Sequence, residues 1–492
     1  MPNRLPPACS FVPPYVLRAL ATSGDPHLER HATETLRVDA ELRRGRQTAE
    51  LRPESGSRPR LARGTLDGPQ RTVYDARHDT SLPGTKVRGE GEPPTSDDAV
   101  TQAYDGLGDT WQLWRQAYDR NSLDDKGLPL VASVHYGRSY DNAFWDGSQM
   151  VFGDGDGVVF LGFTRSIDVI GHELAHGVTQ YTSGLNYQGQ SGALNESVSD
   201  VFGVLVKQRT LGQGAEQADW LVGAELLAPG VNGVALRSMK APGTAYDDPR
   251  LGKDPQPAHM RGYVDTTDDN GGVHINSGIP NHAFYVAATT LGGNAWEVAG
   301  QVWYDAITGD IRADCDFPTF ARLTVAAATA RYGSGSREES AIRAGWDAVG
   351  LGTGSSGGTG PGSGTSTSGS AGTGPGPDAP PPVDSGSPTP PPDAGTEVRV
   401  RRTGGVAGMV REGTVALGAL PDPDTRAWQR LLAEEHLQHL AAAADDDARA
   451  RPDAFCYSVH CEEQHLAVDL PEPAVPDTVR DLLERTLDHS TG

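Results

Sequence analysis

Residues 172–176 read HELAH (His172, Glu173, Leu174, Ala175, His176), and twenty residues past the second histidine the run 192–196 reads GALNE and ends on Glu196. On a helix, side chains four apart lie one above the other, roughly 6 Å between Cβ atoms, so His172 and His176 can grip one metal ion. Glu173 then projects beside it. Two imidazoles and the Glu196 carboxylate leave one tetrahedral position open to water, which is the arrangement of a hydrolytic zinc site and not of a closed structural one.

A bare HExxH pattern also occurs by chance in unrelated helices, so its surroundings decide. Ile167, Val169, Ile170, Leu174 and Val178 form an apolar stripe at helical spacing, and Gly184 closes the run. A second helix is expected from 193 to about 206, with Leu194, Val198, Val201, Phe202 and Leu205 on its buried side. Glu196 and Asp200, four apart, share one face of it. One can bind the metal while the other accepts the free N–H of a ligand histidine, which fixes its tautomer and raises its basicity.

Three further blocks stand around this pair: 142–147 (NAFWDG), 153–157 (GDGDG) and 269–274 (DNGGVH). In this order they resemble the thermolysin family of neutral metallopeptidases, and especially its protealysin-like branch, from about residue 70 to 352. The resemblance implies an α+β, two-lobed peptidase, β-rich before the zinc helix and helical after it, that hydrolyses peptide bonds with metal-activated water. It implies one catalytic Zn2+ on His172, His176 and Glu196, and Glu173 as the proton acceptor. Tyr187 and His274 are the implied donors to the oxyanion, with Asp269 orienting His274 and with Asp200 and Asn195 as partners of the two ligand histidines. Asn142 and the backbone of Ala143 would hold the substrate main chain. Arg237 would bind the carbonyl beyond the scissile bond, where the family prefers a hydrophobic residue. Read from the residues alone, Tyr187 is equally a half-buried tyrosine, His274 a solvated loop histidine and Arg237 a surface ion pair. Whether the glutamate or the histidine accepts the proton also stays open, as does a second function class, a peptide-binding module that keeps the fold without turnover.

One departure from the family is informative. Its calcium-binding members cluster acidic residues beside the zinc helix, whereas here Asp168 and Asp219 are accompanied by Lys207, Leu221 and Ala224. Calcium takes about six to eight oxygen ligands. The double calcium site is therefore expected to be absent, with the Lys207 ammonium neutralising Asp168 and Asp219; the alternative is a lysine that points to solvent.

The 492 residues are too many for one core, and a formal charge of −23, from 65 acidic against 42 basic residues, argues against nucleic acid as a partner. No run of eighteen apolar residues suggests a membrane span. Prolines at 2, 6, 7, 13 and 14 interrupt any apolar signal region, so no secretory signal is visible. The family resemblance nevertheless implies a secreted enzyme, with a cytoplasmic one as the alternative. Residues 1–64 resemble a protealysin-like propeptide: 13–17 read PPYVL, a helical pattern covers 25–44, and an arginine-rich connector spans 43–63. Such a segment is expected to cover the cleft until cut, and Cys9 is a candidate to reach the zinc as a thiolate. The peptidase lobes are expected at 65–190 and 191–352, with helices near 281–291, 295–307, 317–332 and 338–349.

Residues 353–395 collapse to Gly, Ser, Thr and Pro and read as a linker. Residues 396–492 alternate strand and helix patterns and resemble emfourin, the protein inhibitor associated with protealysin-type enzymes, so a tethered inhibitor is implied; a targeting domain is the other reading. The cysteines at 9, 315, 456 and 461 imply no disulfide framework. Alternation would put Cys456 and Cys461 on opposite strand faces, which favours a structural role over a second metal with His460.

Overall fold

The computed structural model describes residues 10–50 and 68–352 and, further on, 395–404, 409–433, 455–461, 466–471 and 477–489, with 437, 464 and 475 between them. Cys9, the 51–67 part of the connector and the 353–394 part of the linker lie outside the described residues. The described residues fall into two units, one before and one after the linker.

The first unit opens with α1 (Pro14–Leu20) and α2 (Pro26–Glu50). Proline at the first turn of each suits a position whose N–H has no partner within the helix. Helix α2 runs past the expected end near 44, and its inward stripe is Leu28, Ala32, Thr35 and Asp39, none more than 2% exposed. The sheet then forms from β1 (Arg71–Asp75), β2 (Thr85–Gly89), β3 (Leu130–Val134), β4 (Ala143–Trp145) and β5 (Met150–Phe152), ordered β2-β1-β3-β5-β4. This leaves β4 on the edge.

Packed against this sheet is α3 (Asp98–Tyr118), a long helix within the lobe expected to be mainly strands. Val100, Ala103, Tyr104, Leu107, Trp111, Trp114 and Tyr118 make its buried stripe, and Asp97 caps it by accepting from the amides of Ala99 and Val100. Gly106, Gly108 and Thr110 lower its intrinsic propensity, and tertiary packing overrides them.

Next comes α4 (Ile167–Tyr181), the metal helix, and α5 (Gly189–Leu211), which begins earlier and ends later than its apolar pattern suggested. They cross in backbone contact. A Cβ built on Gly203 would stand 2.4 Å from the Asp168 carbonyl oxygen, and one on Gly171 3.0 Å from the Gly203 Cα. Any larger residue would wedge the two helices apart one turn from His172, and overpacking of this kind typically costs about 1–3 kcal/mol.

The remaining chain of this unit carries the short strand pairs β6 (Leu221–Val222) with β7 (Arg237–Ser238) and β8 (Asp247–Asp248) with β9 (Gly252–Lys253), then α6 (Asp269–Asn276), α7 (Gly278–Leu291), α8 (Ala299–Thr308), α9 (Phe317–Tyr332) and α10 (Arg337–Ala348). Trp303 and Trp346 stack at 5.9 Å between centroids with Phe320 edge-on to both, and they close the helical core. Phe11, Val12, Val16, Leu17, Leu20 and Leu28 belong to the same continuous core as the metal helix, each at most 1% exposed. Fully burying an aliphatic or phenyl side chain is worth about 1.5–3 kcal/mol. The N-terminal segment is thus held chiefly by apolar burial.

The second unit is a sheet ordered β11-β10-β12-β13, from β10 (Glu397–Gly404), β11 (Met409–Ala416), β12 (Phe455–Cys461) and β13 (Leu466–Pro471), with helices α11 (Asp422–Ala433) and α12 (Asp477–His489). Its core includes Val398, Val400, Trp428, Tyr457, Val459, Leu482 and Leu483, and the Trp428 indole donates to Thr486. Cys461 is buried while Cys456 is half-buried. Among the described residues, no helix is long and apolar enough to cross a membrane.

A polar bridge ties α3 to the sheet. His135 Nε2 lies 2.9 Å from Asp97 and its Nδ1 2.8 Å from Asp154. The hydrogen bond to Asp154, acting against partial burial and with help from Asp97, pushes the imidazole up to about 9 from its ordinary 6.5. A group whose folded pKa is raised stabilises fully below its unfolded pKa and loses that contribution as pH climbs through the folded value. Thermal unfolding followed from pH 6.5 to 9 should therefore show a midpoint falling more steeply in the parent protein than in His135→Asn, and the two slopes should converge above pH 9.

Candidate metal centre and substrate cleft

On α4 the side chains of His172, Glu173 and His176 gather their ligand atoms within 4.8 Å of one another, all buried. His172 Nδ1 is 2.8 Å from Asp200 Oδ1, and His176 Nδ1 is 2.8 Å from Asn195 Oδ1 and 3.0 Å from Ser199 Oγ. Asn195 spends its amide N–H on the Leu185 carbonyl at 3.1 Å, so its oxygen faces the ring and accepts. Both imidazoles therefore carry their proton on Nδ1. Their Nε2 atoms then present bare lone pairs to each other at 3.1 Å. Burial, only partly opposed by Glu196, holds His176 down to about 4, so it is a neutral imidazole.

The α5 side of the site supplies Glu196. Its Oε1 is 3.5 Å from His176 Nε2, and its Oε2 is 3.6 Å from His172 Nε2 and accepts no hydrogen bond. Facing lone pairs and an unsatisfied buried carboxylate oxygen repel unless a cation lies between them. Zinc fits: tetrahedral coordination with Zn–N near 2.0–2.1 Å sets roughly 3.3 Å between ligand atoms. Burial opposes the charge on Glu196, and the His274 cation, the largest influence against it, holds its carboxyl below the usual carboxylate range.

The catalytic candidates surround this point. Glu173 Oε2 receives the Trp145 backbone N–H at 2.9 Å, so the edge strand β4 fixes the glutamate beside the metal position. Tyr187 donates to Glu196, and its hydroxyl lies 3.2 Å from His274 Nε2. His274 donates Nδ1–H to Asp269 at 2.6 Å, while Asp269 also accepts the His274 backbone N–H at 2.9 Å. This fold-back needs Asp269, Asn270, Gly271 and Gly272 all at left-handed φ, between 52° and 81°, a path natural to glycine. Burial disfavours the His274 cation, but Asp269 and Glu196 outweigh it and push the ring up to about 9. DNGGVH is thus a left-handed lead-in to a helical turn, where the sequence reading had a loop.

Arg237 is not a surface residue. It is 1% exposed, with Nε and Nη2 on the Asp200 carboxylate at 2.8–3.2 Å. Burial of Asp200 opposes its charge, and Arg237 and His172 hold it well below the carboxylate range. Asn281 Nδ2 completes that carboxylate's shell at 2.8 Å; its place on α7 carried no sequence signal. Asn142, buried at the edge of the sheet, turns its amide outward, and the Ala143 carbonyl faces the same way. Lys207 Nζ sits 3.0 Å from Asp219, 3.5 Å from Asp168 and 3.7 Å from Glu225, so it does not point to solvent.

Residues 10–12 occupy the groove between these groups. Phe11 N–H donates to the Ala143 carbonyl at 3.0 Å, and Val12 N–H donates to Asn142 Oδ1 at 2.7 Å. The Phe11 carbonyl accepts from Arg237 Nη1 at 3.2 Å, and the Ser10 carbonyl lies 3.1 Å from His274 Nε2. The Phe11 ring stands edge-on to His172, 5.1 Å between centroids, with the Arg237 guanidinium 4.4 Å from its centre. On the far side Asp39 accepts from Tyr140 and Asn142, and Thr35 accepts the Asp141 N–H.

A buried His-Glu-His cluster on one helix, a carboxylate from the next and an edge strand that pairs with an extended segment are the arrangement of a metallopeptidase. Comparisons with known proteins agree. Residues 56–180 match the thermolysin metallopeptidase catalytic domain and residues 183–351 its alpha-helical domain, while residues 400–487 match emfourin. An extracellular metalloprotease of Pectobacterium carotovorum subsp. carotovorum is 49% identical over 346 residues, covering 70% of this chain and 97% of that protein. Protease PrtS of a Photorhabdus species (strain Az29) is 58% identical over 258 residues, 52% of this chain and 70% of that one. The solved precursor of protealysin from Serratia proteamaculans superposes with a TM-score of 0.64 at 52% identity, covering 70% of this chain and all of that one. The chain belongs to the thermolysin family of metallopeptidases, in a protealysin-like form with an emfourin domain after it, and is a zinc metalloendopeptidase.

The partners of the two imidazoles should tune metal affinity, since such hydrogen bonds are typically worth about 10–100-fold. Asn195→Leu should weaken zinc binding by about tenfold, because the Ser199 hydroxyl still reaches the same nitrogen; adding Ser199→Ala should bring the loss to about a hundredfold. Competition against a chromophoric chelator measures both.

Proposed function

We propose that His172, His176 and Glu196 hold the zinc and that the enzyme is stored latent, with its cleft covered by the segment within residues 1–64. Zinc bound there would polarise the scissile carbonyl and lower the pKa of water from 15.7 to about 7. Glu173, anchored by the Trp145 N–H, takes the proton from the attacking water and passes it to the leaving nitrogen. His274, oriented by Asp269, and Tyr187 donate to the developing oxyanion, and each donor of this kind is worth roughly 3 kcal/mol. Asn142, the Ala143 carbonyl and Arg237 grip the main chain after the bond, and the pocket holding the Phe11 ring takes a hydrophobic side chain. The observation that carries this reading is that all four of those groups, His274 included, are engaged by residues 10–12.

The remaining organisation follows the same reading: 1–64 as propeptide, 65–190 and 191–352 as peptidase lobes, 353–395 as linker and 396–492 as an emfourin-like inhibitor. Tethering lifts a domain's local concentration toward the millimolar range, so modest affinity suffices for inhibition. Secretion accords with the extracellular relatives. The Lys207 ammonium, buried among Asp168, Asp219 and Glu225, takes the place of calcium beside α4.

Removing residues 1–64 should raise cleavage of a peptide with leucine or phenylalanine after the scissile bond by more than about tenfold at equal folded fraction, as expected when a covered site is freed. Glu173→Gln in that shortened protein should bind one zinc and turn nothing over; retained turnover would remove Glu173 from the mechanism. Elemental analysis of the full chain dialysed against calcium should find zinc alone, and two calcium ions per chain would refute the role given to Lys207.

A further inference from the structure

The main chain of residues 10–12 does more than fill the groove. It pairs antiparallel with β4, Ser10 bridging Phe144, in the direction set by the Phe11 N–H to Ala143 carbonyl bond. Its register matches the roles assigned to Arg237, His274, Asn142 and the Ala143 carbonyl. The group proposed to bind the carbonyl beyond the scissile bond holds the Phe11 carbonyl, and the group proposed to face the oxyanion holds the Ser10 carbonyl. The bond between those two carbonyls is the Ser10–Phe11 peptide, and a large apolar side chain follows it.

We propose that the Ser10–Phe11 peptide is the first bond this site hydrolyses, within its own chain, and that the segment from Phe11 onward stays seated after the cut. This rests on the reading of the N-terminal segment as the cover of the cleft. Water adds its oxygen to the Ser10 carbonyl carbon while Glu173 takes one of its protons. The C–N bond to Phe11 breaks, its electron pair goes to nitrogen, Glu173 returns the proton there, and the second water proton leaves the new Ser10 carboxyl for the same nitrogen. The products are a carboxylate at Ser10 and an ammonium at Phe11, and nothing is oxidised or reduced.

Latency survives because the anchors lie after the cut. The Phe11 ammonium still donates to the Ala143 carbonyl. Val12, Val16, Leu17, Leu20 and Leu28 stay in the core, and Asp39 still binds Tyr140 and Asn142. By contrast, Ser10 contributes one bridge to Phe144 and one contact to His274. The outcome is a clipped chain, beginning at Phe11, that is still inactive toward other peptides.

The test uses the full chain, prepared free of metal. Hydrogen exchange first reads the Phe11 and Val12 amides, which should be protected. Zinc is then added and intact mass is followed with time. The expected result is a product beginning at Phe11, formed with a first-order rate constant that does not change over about a tenfold range of protein concentration, before any cleavage of an added peptide. Glu173→Gln should give no product, Phe11→Leu should keep the cut, and Phe11→Asp should slow it at least about tenfold, the scale on which an apolar pocket discriminates. Protected amides with an intact Ser10–Phe11 bond, or a rate proportional to protein concentration, would overturn the inference and leave the covered cleft standing. Freely exchanging amides would overturn both.

Discussion

Two nitrogen lone pairs facing each other at 3.1 Å inside a protein are repulsive, and everything around the site serves to hold them there. Asp200 and Asn195 take up the other ring nitrogens, so neither imidazole can relieve the repulsion by changing tautomer. Glu196 adds a third donor from α5, and the glycine contact of Gly171 with Gly203 lets that helix come close enough to deliver it. The folded chain has thus already met the cost of assembling a cation site; the cation supplies the missing attraction.

Asp200 couples this centre to the rest of the cleft. One carboxylate accepts from the His172 ring, the Arg237 guanidinium and the Asn281 amide, so α4 and the arginine that holds the Phe11 carbonyl share an anchor. A buried ion pair gives weak net stability but is costly to break, since either partner alone would be an uncompensated charge. Here the pair aims Nη1 of Arg237 at the Phe11 carbonyl. Geometry is what it contributes, more than folding energy.

Much of this was legible in the sequence where the signal was local. HELAH with GALNE placed the candidate ligands and their hydrogen-bond partners on two helices, because spacings of four project along one helix face. The roles proposed for Tyr187, His274 and Arg237 rest on family resemblance, since each of those residues by itself has an ordinary reading. Helix α3 went unforeseen because Gly106, Gly108 and Thr110 dilute a pattern that packing against the sheet and α4 sustains. Asn281 was missed for a related reason: an asparagine on an apolar helix gives no sign that a buried carboxylate will meet it.

By itself the sequence determined the chemistry of the metal centre, because donor type and helical period fix which atoms can share an ion. Composition also sets residues 353–395 apart, since it separates a stretch that can bury a core from one that cannot. Only the tertiary structure decided how closely α4 and α5 cross and in what register residues 10–12 lie against β4. The first depends on Gly171 meeting Gly203, and the second on backbone groups of β4, such as the Ala143 carbonyl, meeting residues some 130 positions away; backbone groups are the same in every residue, so no side-chain pattern announces their pairing.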